Sequence, residues 1–224
     1  MLKAVVAETA LFWTHLAISA ERVPLLIAGL SGAALFRRLP TGLRYLAVLV
    51  WFGLAVEASA FLLSRYHLPN LFLIPIDAAG EVWLLSLVYA HALQWPKYSQ
   101  WRPWVAGAFV LGASLSGALF SDPAHFQPVL MVGESLLLLV LPGLYFRKLL
   151  NELHVRDLAR DAMFWVSTGL LLYFLGKLLI GLFSNYLLQH YSTELNVWVW
   201  FVHAVLLFVL YSCYLRALWL RPQK

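Results

Sequence analysis

The chain is poor in cysteine and in charge. Cys213 is its only cysteine among 224 residues, and Asp, Glu, Lys and Arg together make up 12% of the sequence. One cysteine cannot form an internal disulfide or a cysteine-based zinc cluster. A soluble domain usually carries about 25% charged residues, so this composition excludes an ordinary soluble fold.

Motifs of well-known chemistry are also missing. The sequence contains no G-x-x-x-x-G-K-[ST] phosphate loop, no H-E-x-x-H zinc motif and no G-x-S-x-G nucleophile elbow. A retinal Schiff base needs a lysine in the seventh span of a seven-helix protein, whereas Lys177 falls in the sixth apolar segment. A zinc hydrolase of the ceramidase or adiponectin-receptor type could use His15, His203 and Asp77, but their spacing matches no known motif. We therefore assign no catalytic residue, metal ligand or cofactor.

Long apolar segments are what the sequence has instead, with 62% hydrophobic residues overall. About 20 apolar residues are needed to span a bilayer, and seven segments approach or exceed that length. This pattern predicts an all-α membrane protein, a seven-transmembrane-helix bundle forming one domain over residues 1–224. The predicted spans are 13–36, 43–63, 70–94, 105–120, 127–150, 162–188 and 195–218. HLPN at 67–70 is expected to be a turn, and the aromatic stretch 95–104 is expected to be a loop.

Basic residues alternate between the connecting segments. Twelve lie on one side of the predicted membrane, namely Arg37, Arg38, Arg44, Lys97, Arg102, Arg147, Lys148, Arg156, Arg160, Arg216, Arg221 and Lys224. The opposite loops hold only Arg65, and the N-terminal tail holds Lys3. The positive-inside rule then predicts an N-terminus outside and a C-terminus in the cytoplasm of a bacterial inner membrane. The net charge of +5 is thus explained by basic residues that orient the chain in the lipid bilayer, and no nucleic-acid partner is expected.

The third segment carries two acids, Asp77 and Glu81, which are four residues apart. On a helix this spacing places both carboxylates on one face. Acids in hydrocarbon are costly, and they commonly mark functional sites.

Other segments place ionisable groups at a similar depth. Counting from the nearest charged residue at the cytoplasmic end of each span gives 13 to 20 residues, or roughly 20–30 Å at a helical rise. We expect this layer to line an acidic cavity that opens to the outside. Lys177 is expected to pair with Glu81 or Glu134, and Arg22 to pair with Glu21 or to turn toward the outer interface. The expected ligand-binding residues are Glu21, Glu57, Asp77, Glu81, Glu134, Lys177 and His203.

Three stretches carry a resemblance to a known family: ERVPLLIAGL at 21–30, NLFLIPIDAAGEVWLL at 70–85 and DAMFWVSTGLLLYFLGKLL at 161–179. Together they resemble a family of uncharacterised bacterial seven-helix membrane proteins. The resemblance implies a compact inner-membrane bundle like the input modules of signalling proteins, and it implies no specific activity. Because no kinase or cyclase output domain follows, signalling would require a partner.

Three functional hypotheses follow from these patterns. The leading one is a sensor or accessory signalling protein that binds a small cationic or polar ligand. Its signalling partner, in the cytoplasm or the membrane, would use the segment from Arg147 to Asp161. The alternative is a small proton-coupled transporter, since buried acids can cycle between charged and neutral forms. The third hypothesis is an intramembrane lipid hydrolase that uses an acid pair for general acid–base catalysis.

Overall fold

The computed structural model of the protein describes the backbone of residues 2–119, 128–152, 157–190 and 193–220. Within these ranges the chain forms helices and short connections, with no strand. Some residues named in the predictions of a zinc set or of membrane orientation have side chains outside the described residues, among them His15 and Arg156. The long helices are α1 (Leu2–Leu35), α2 (Thr41–Arg65), α3 (Leu73–Leu93), α4 (Pro96–Leu119), α5 (Pro128–Glu152), α6 (Ala162–His190) and α7 (Thr193–Trp219).

Six of these helices are long and apolar enough to cross a membrane, which indicates a multi-pass membrane protein. The qualifying segments are Ser19–Arg38, Thr41–Arg65, Leu73–Leu93, Val129–Glu152, Ala162–Leu182 and Val197–Trp219. The described part of α4 does not qualify, because its first two turns contain Lys97, Ser99, Gln100 and Arg102.

The six apolar helices form a closed ring. Around this ring α1 packs on α2, α2 on α3, α3 on α5, α5 on α6, α6 on α7, and α7 on α1. Helix α4 packs on α3 and has only slight contact with α5, so it lies outside the ring. Helices α1, α3, α5 and α7 all finish at the same end of the bundle, which we call the basic end. We call the other end the opposite end.

The start of α4 corrects the expectation of a loop at 95–104. The connection from α3 consists of Gln94, in a left-handed conformation with φ 55°, and Trp95. Pro96 then begins α4, because a proline at the first helical position gives up no intrahelical hydrogen bond. The ammonium of Lys148 completes this junction by donating to the carbonyls of Ala92 (3.1 Å) and Leu93 (2.8 Å).

The connection between α2 and α3 also differs from its predicted form in detail. The turn after α2 is present, with His67 at φ 55°, and α3 begins at Leu73 rather than at residue 70. Pro75 therefore lies in the first turn of α3, where its missing N–H frees no carbonyl. Pro24 and Pro142, in contrast, lie inside α1 and α5.

The dense apolar core occupies the half of the bundle near the basic end. Helix α2 contributes buried residues only from its first three turns, Leu43 to Val50. Helix α3 contributes Leu85, Val88 and Leu93, and α7 ends with the buried Leu218. The main polar contact within this core is uncharged. Tyr89 on α3 and Ser167 on α6, both fully buried, share a hydrogen bond of 2.7 Å.

Close helix packing between α6 and α7 depends on Gly169. A Cβ atom at this position would lie 2.8 Å from Cβ of Cys213, closer than two such atoms normally approach. Since the Cβ of Cys213 is fixed to its backbone, the two helices would have to separate. Glycine at helix interfaces commonly permits this kind of approach in membrane proteins.

We predict that Gly169→Ala destabilises the protein by about 1–3 kcal/mol, the usual cost of overpacking. The matched control is Gly143→Ala on α5, where an added Cβ meets no atom of the described chain within 4 Å. Thermal unfolding in detergent should show a clear loss of Tm for Gly169→Ala and little change for Gly143→Ala. Equal behaviour of the two variants would contradict the packing argument.

Candidate functional site

Lys177 on α6 is the centre of a buried ionic cluster. Its ammonium nitrogen lies 2.9 Å from Oε2 of Glu134 on α5 and 3.7 Å from Oε2 of Glu81 on α3. The Glu134 side chain is only 2% exposed, while those of Lys177 and Glu81 are 12% and 18% exposed. The expected pairing of Lys177 therefore involves both candidate acids, with Glu134 as the closer partner. We call Lys177, Glu81 and Glu134 the central cluster.

Hydrogen bonding in the central cluster is incomplete. Oε1 of Glu134 and Oε2 of Glu81 are buried, and neither has a hydrogen-bond partner within the described part of the chain. Buried polar atoms are nearly always hydrogen bonded, and leaving one unsatisfied costs on the order of 1–3 kcal/mol. The cluster therefore retains unused hydrogen-bond acceptors.

Asp77 extends the cluster toward the opposite end. It lies one turn before Glu81 on α3, is partly buried, and interacts electrostatically with Lys177, Glu134 and Glu57. From here on the central cluster includes Asp77, so that it contains three carboxylates, Asp77, Glu81 and Glu134, and a single lysine.

Aromatic rings of α6 surround the Lys177 ammonium. Its nitrogen lies 5.5 Å from the ring centre of Tyr173 and 5.2 Å from that of Phe174, both within range of a cation–π interaction. Sequence analysis did not assign these two residues to the site. Their spacing could have indicated that they lie beside Lys177, because residues three and four positions before a lysine share its helical face.

His203 on α7 lies beside this aromatic wall. Its ring centre is 5.7 Å from that of Tyr173 and 5.7 Å from that of Trp200. Its Nδ1 atom is buried and has no hydrogen-bond partner among the described residues. His203 also interacts electrostatically with Lys177, which places it at the edge of the central cluster.

Glu57 and Arg22 form a separate ion pair between α2 and α1. The Arg22 guanidinium donates to Oε1 of Glu57 from Nη2 at 2.9 Å and from Nε at 3.0 Å. It also lies over the ring of Phe61, 5.8 Å from the ring centre. Arg22 was expected to pair with Glu21 or to turn outward, so this partner differs from the prediction. Both side chains are about 40% exposed, which makes the pair a weaker constraint than the central cluster.

Glu21 is placed near the Arg22–Glu57 pair rather than in the central cluster. Its carboxylate interacts electrostatically with both members of that pair, and its Oε2 atom is buried without a hydrogen-bond partner in the described residues. The seven predicted site residues therefore form two neighbouring groups, linked by the interaction between Asp77 and Glu57.

Metal coordination finds no support in the described side chains. Among them, no three His, Cys, Asp or Glu residues lie together in an arrangement that could hold a metal ion. The zinc set considered from the sequence includes His15, whose side chain lies outside the described residues, so that set is not tested.

The predicted partner segment from Arg147 to Asp161 is helical up to Glu152 and forms a short 3₁₀ turn at Leu158–Arg160. Asp161 caps α6 by accepting from the N–H of Met163 (2.9 Å), and it also accepts from the hydroxyl of Tyr145. Residues 153–156 lie outside the described range. Arg160 and Asp161 line an opening of about 490 Å³ at the basic end, which also borders the starts of α2 and α6.

We predict that Lys177→Met destabilises the protein by about 3–5 kcal/mol, because it leaves the buried Glu134 carboxylate without a counter-ion. The double variant Lys177→Met/Glu134→Gln should recover a large part of this loss. Lys97→Met is the control, since it removes an exposed lysine at the start of α4 and should change stability by less than about 0.5 kcal/mol. Chemical or thermal unfolding in detergent measures all three. Additive effects of the Lys177 and Glu134 substitutions would show that the two residues do not depend on each other.

Comparison of the chain with family models, with curated proteins and with solved structures found no match. The resemblance noted from the sequence stays a prediction. The function is therefore inferred from the geometry of this chain alone.

Proposed function

We propose that the protein binds a small organic cation at the central cluster and acts as a membrane sensor or accessory signalling protein. The observation that carries this proposal is the excess of acid, with three carboxylates of Asp77, Glu81 and Glu134 around the single ammonium of Lys177. If all four groups are ionised, the cluster carries a net charge of −2. A bound cation would reduce this charge and supply donors to Oε2 of Glu81 and Oε1 of Glu134, which have no hydrogen-bond partner among the described residues.

The surroundings of the cluster favour an amine over a metal ion. Aromatic rings of Tyr173, Phe174 and Trp200 lie near Lys177 and His203, and aromatic faces attract ammonium groups. Asp77 lies on α3 one turn nearer the opposite end than Glu81 and is partly buried, so it would meet an entering ligand before Glu81 does. Glu81, one turn deeper, would be the second contact.

Binding is favoured over transport by the core between the cluster and the basic end. Leu85, Tyr89 and Leu170 are fully buried there, and Leu138 is 1% exposed. A transported ligand would need a polar route through this dry layer. The proton-coupled transporter is accordingly the second candidate, supported by the incompletely paired carboxylates.

The proposed topology has seven spans, with the N-terminus outside and the C-terminus in the cytoplasm of a bacterial inner membrane. The distribution of Lys and Arg supports this orientation, and it would open the cation site toward the outside. The opening at the basic end would then face the cytoplasm. It is lined by Arg160, Asp161 and His91, and it could receive a signalling partner.

Ligand binding should raise the unfolding temperature of the wild-type protein. Detergent-purified protein would be heated with methylammonium, choline, putrescine or sodium at constant ionic strength. We expect at least one organic cation to stabilise it, by about 2.7 kcal/mol at a concentration 100 times its Kd. Asp77→Asn/Glu81→Gln should abolish this response and raise the basal stability by roughly 1–2 kcal/mol, because it removes two of the three carboxylates that share one lysine.

Glu57→Gln provides the matched control for that experiment, since it removes an acid that pairs with Arg22 outside the central cluster. It should keep the response to cation. The proposal is wrong if no organic cation stabilises the wild type more than sodium does, or if the double variant responds like the wild type.

The orientation can be tested by cysteine labelling in intact cells. In a Cys213→Ser background, we introduce Ser64→Cys near the end of α2 and Gln100→Cys near the start of α4, both at exposed positions. A membrane-impermeant maleimide should label the first position in intact cells and the second only after permeabilisation. The reverse pattern would invert the proposed topology.

A further inference from the structure

Helix α4 leaves a groove on the outside of the ring. It packs against α3 but barely touches α5, and a cavity of about 180 Å³ lies between the three helices. The walls of this cavity are almost entirely apolar and include Val105 on α4 together with Leu137, Val140, Leu141 and Leu144 on α5. Val105 and Val140 are about half exposed, so the groove opens on the surface that faces lipid.

One cation lies in the wall of this groove. Arg102 on α4 donates from Nη1 to the hydroxyl of Ser86 on α3 at 3.3 Å, and its guanidinium lies over the ring of Trp83, 5.7 Å from the centre. Throughout the described residues, no carboxylate forms an ion pair with Arg102. A guanidinium carries five N–H donors, so the described residues leave most of its hydrogen-bonding capacity unused.

The depth of Arg102 matches the lipid headgroup region. It lies in the second turn of α4, at the basic end, between Trp101 and Trp104, which are 68% and 76% exposed. Exposed tryptophans of membrane proteins concentrate at the interface between headgroups and hydrocarbon. From Arg102 the groove continues along Val105 on α4, and along α5 from Leu144 to Leu137, toward the middle of the membrane.

We propose that this groove binds one anionic phospholipid from the leaflet at the basic end. The phosphate would accept hydrogen bonds from Arg102, and an acyl chain would lie against Val105, Leu141 and Leu144. Arginine pairs with phosphate through two parallel hydrogen bonds, and basic pockets between transmembrane helices bind anionic headgroups. An apolar strip that ends in one unpaired cation at headgroup depth fits a molecule with an anionic head and a long tail. The lipid would also fill the space that separates α4 from α5. This site is independent of the cation site at the central cluster.

Native mass spectrometry of the detergent-purified chain tests the proposal by titration with phosphatidylglycerol and with phosphatidylcholine of identical acyl chains. For the first bound lipid, we expect the wild type to prefer phosphatidylglycerol at least fivefold. Arg102→Gln should lose that preference, because the phosphate loses its donor. Arg147→Gln is the matched control, since it removes an exposed arginine at the same end of the bundle outside the groove. It should keep the preference.

A second variant covers the case in which Arg102→Gln fails to fold. Val140→Trp changes a half-exposed side chain at the mouth of the groove and leaves Arg102 in place. It should reduce phosphatidylglycerol binding at least fivefold by filling the acyl-chain position. The proposal is overturned by equal binding of the two lipids to the wild type, by a preference retained in Arg102→Gln, or by undiminished phosphatidylglycerol binding to Val140→Trp.

Discussion

The ion pair between Lys177 and Glu134 is the constraint around which the rest of this bundle is arranged. Its two charged atoms are 2.9 Å apart, and the carboxylate side chain is 2% exposed. A buried charge is tolerated only when it is paired and hydrogen bonded. The pair therefore determines how α5 faces α6. Glu81, 3.7 Å from the same ammonium, brings α3 to the same place. Three helices, α3, α5 and α6, thus meet at one polar point.

The position of this pair divides the bundle into two halves with different chemistry. Toward the basic end the ring is filled by leucine, valine and tyrosine, and the contact between Tyr89 and Ser167 crosses it without any charge. Around the pair lie the further acids Asp77, Glu57 and Glu21, and together these acids outnumber the nearby cations Lys177 and Arg22. A dense, uncharged half can hold the helices together while the acid-rich half accommodates a ligand. This division is the physical basis for proposing a binding protein rather than a conduit.

The sequence predicted the main architecture because apolar runs of about 20 residues are a strong signal for membrane helices. It also predicted that Lys177 would meet Glu81 or Glu134, because depth along a helix can be counted from residue numbers. It did not predict the partner of Arg22. Glu57 is 35 residues away on another helix, and the pairing depends on how α1 and α2 are rotated.

The beginning of α4 was also missed, because polar and aromatic residues after Pro96 are as typical of an interfacial loop as of a helix end. The groove beside α4 could not be foreseen at all, since it depends on α4 and α5 both packing against α3 while barely touching each other.

The central claim is tested most directly by two high-resolution maps of the protein in nanodiscs. One is obtained without added ligand and the other after incubation with a stabilising amine. The account predicts non-protein density in the amine-bound map beside the carboxylates of Asp77 and Glu81, with Lys177 still paired to Glu134. An amine-bound map in which these carboxylates contact only protein groups, with no additional density, would contradict a cation site at the central cluster.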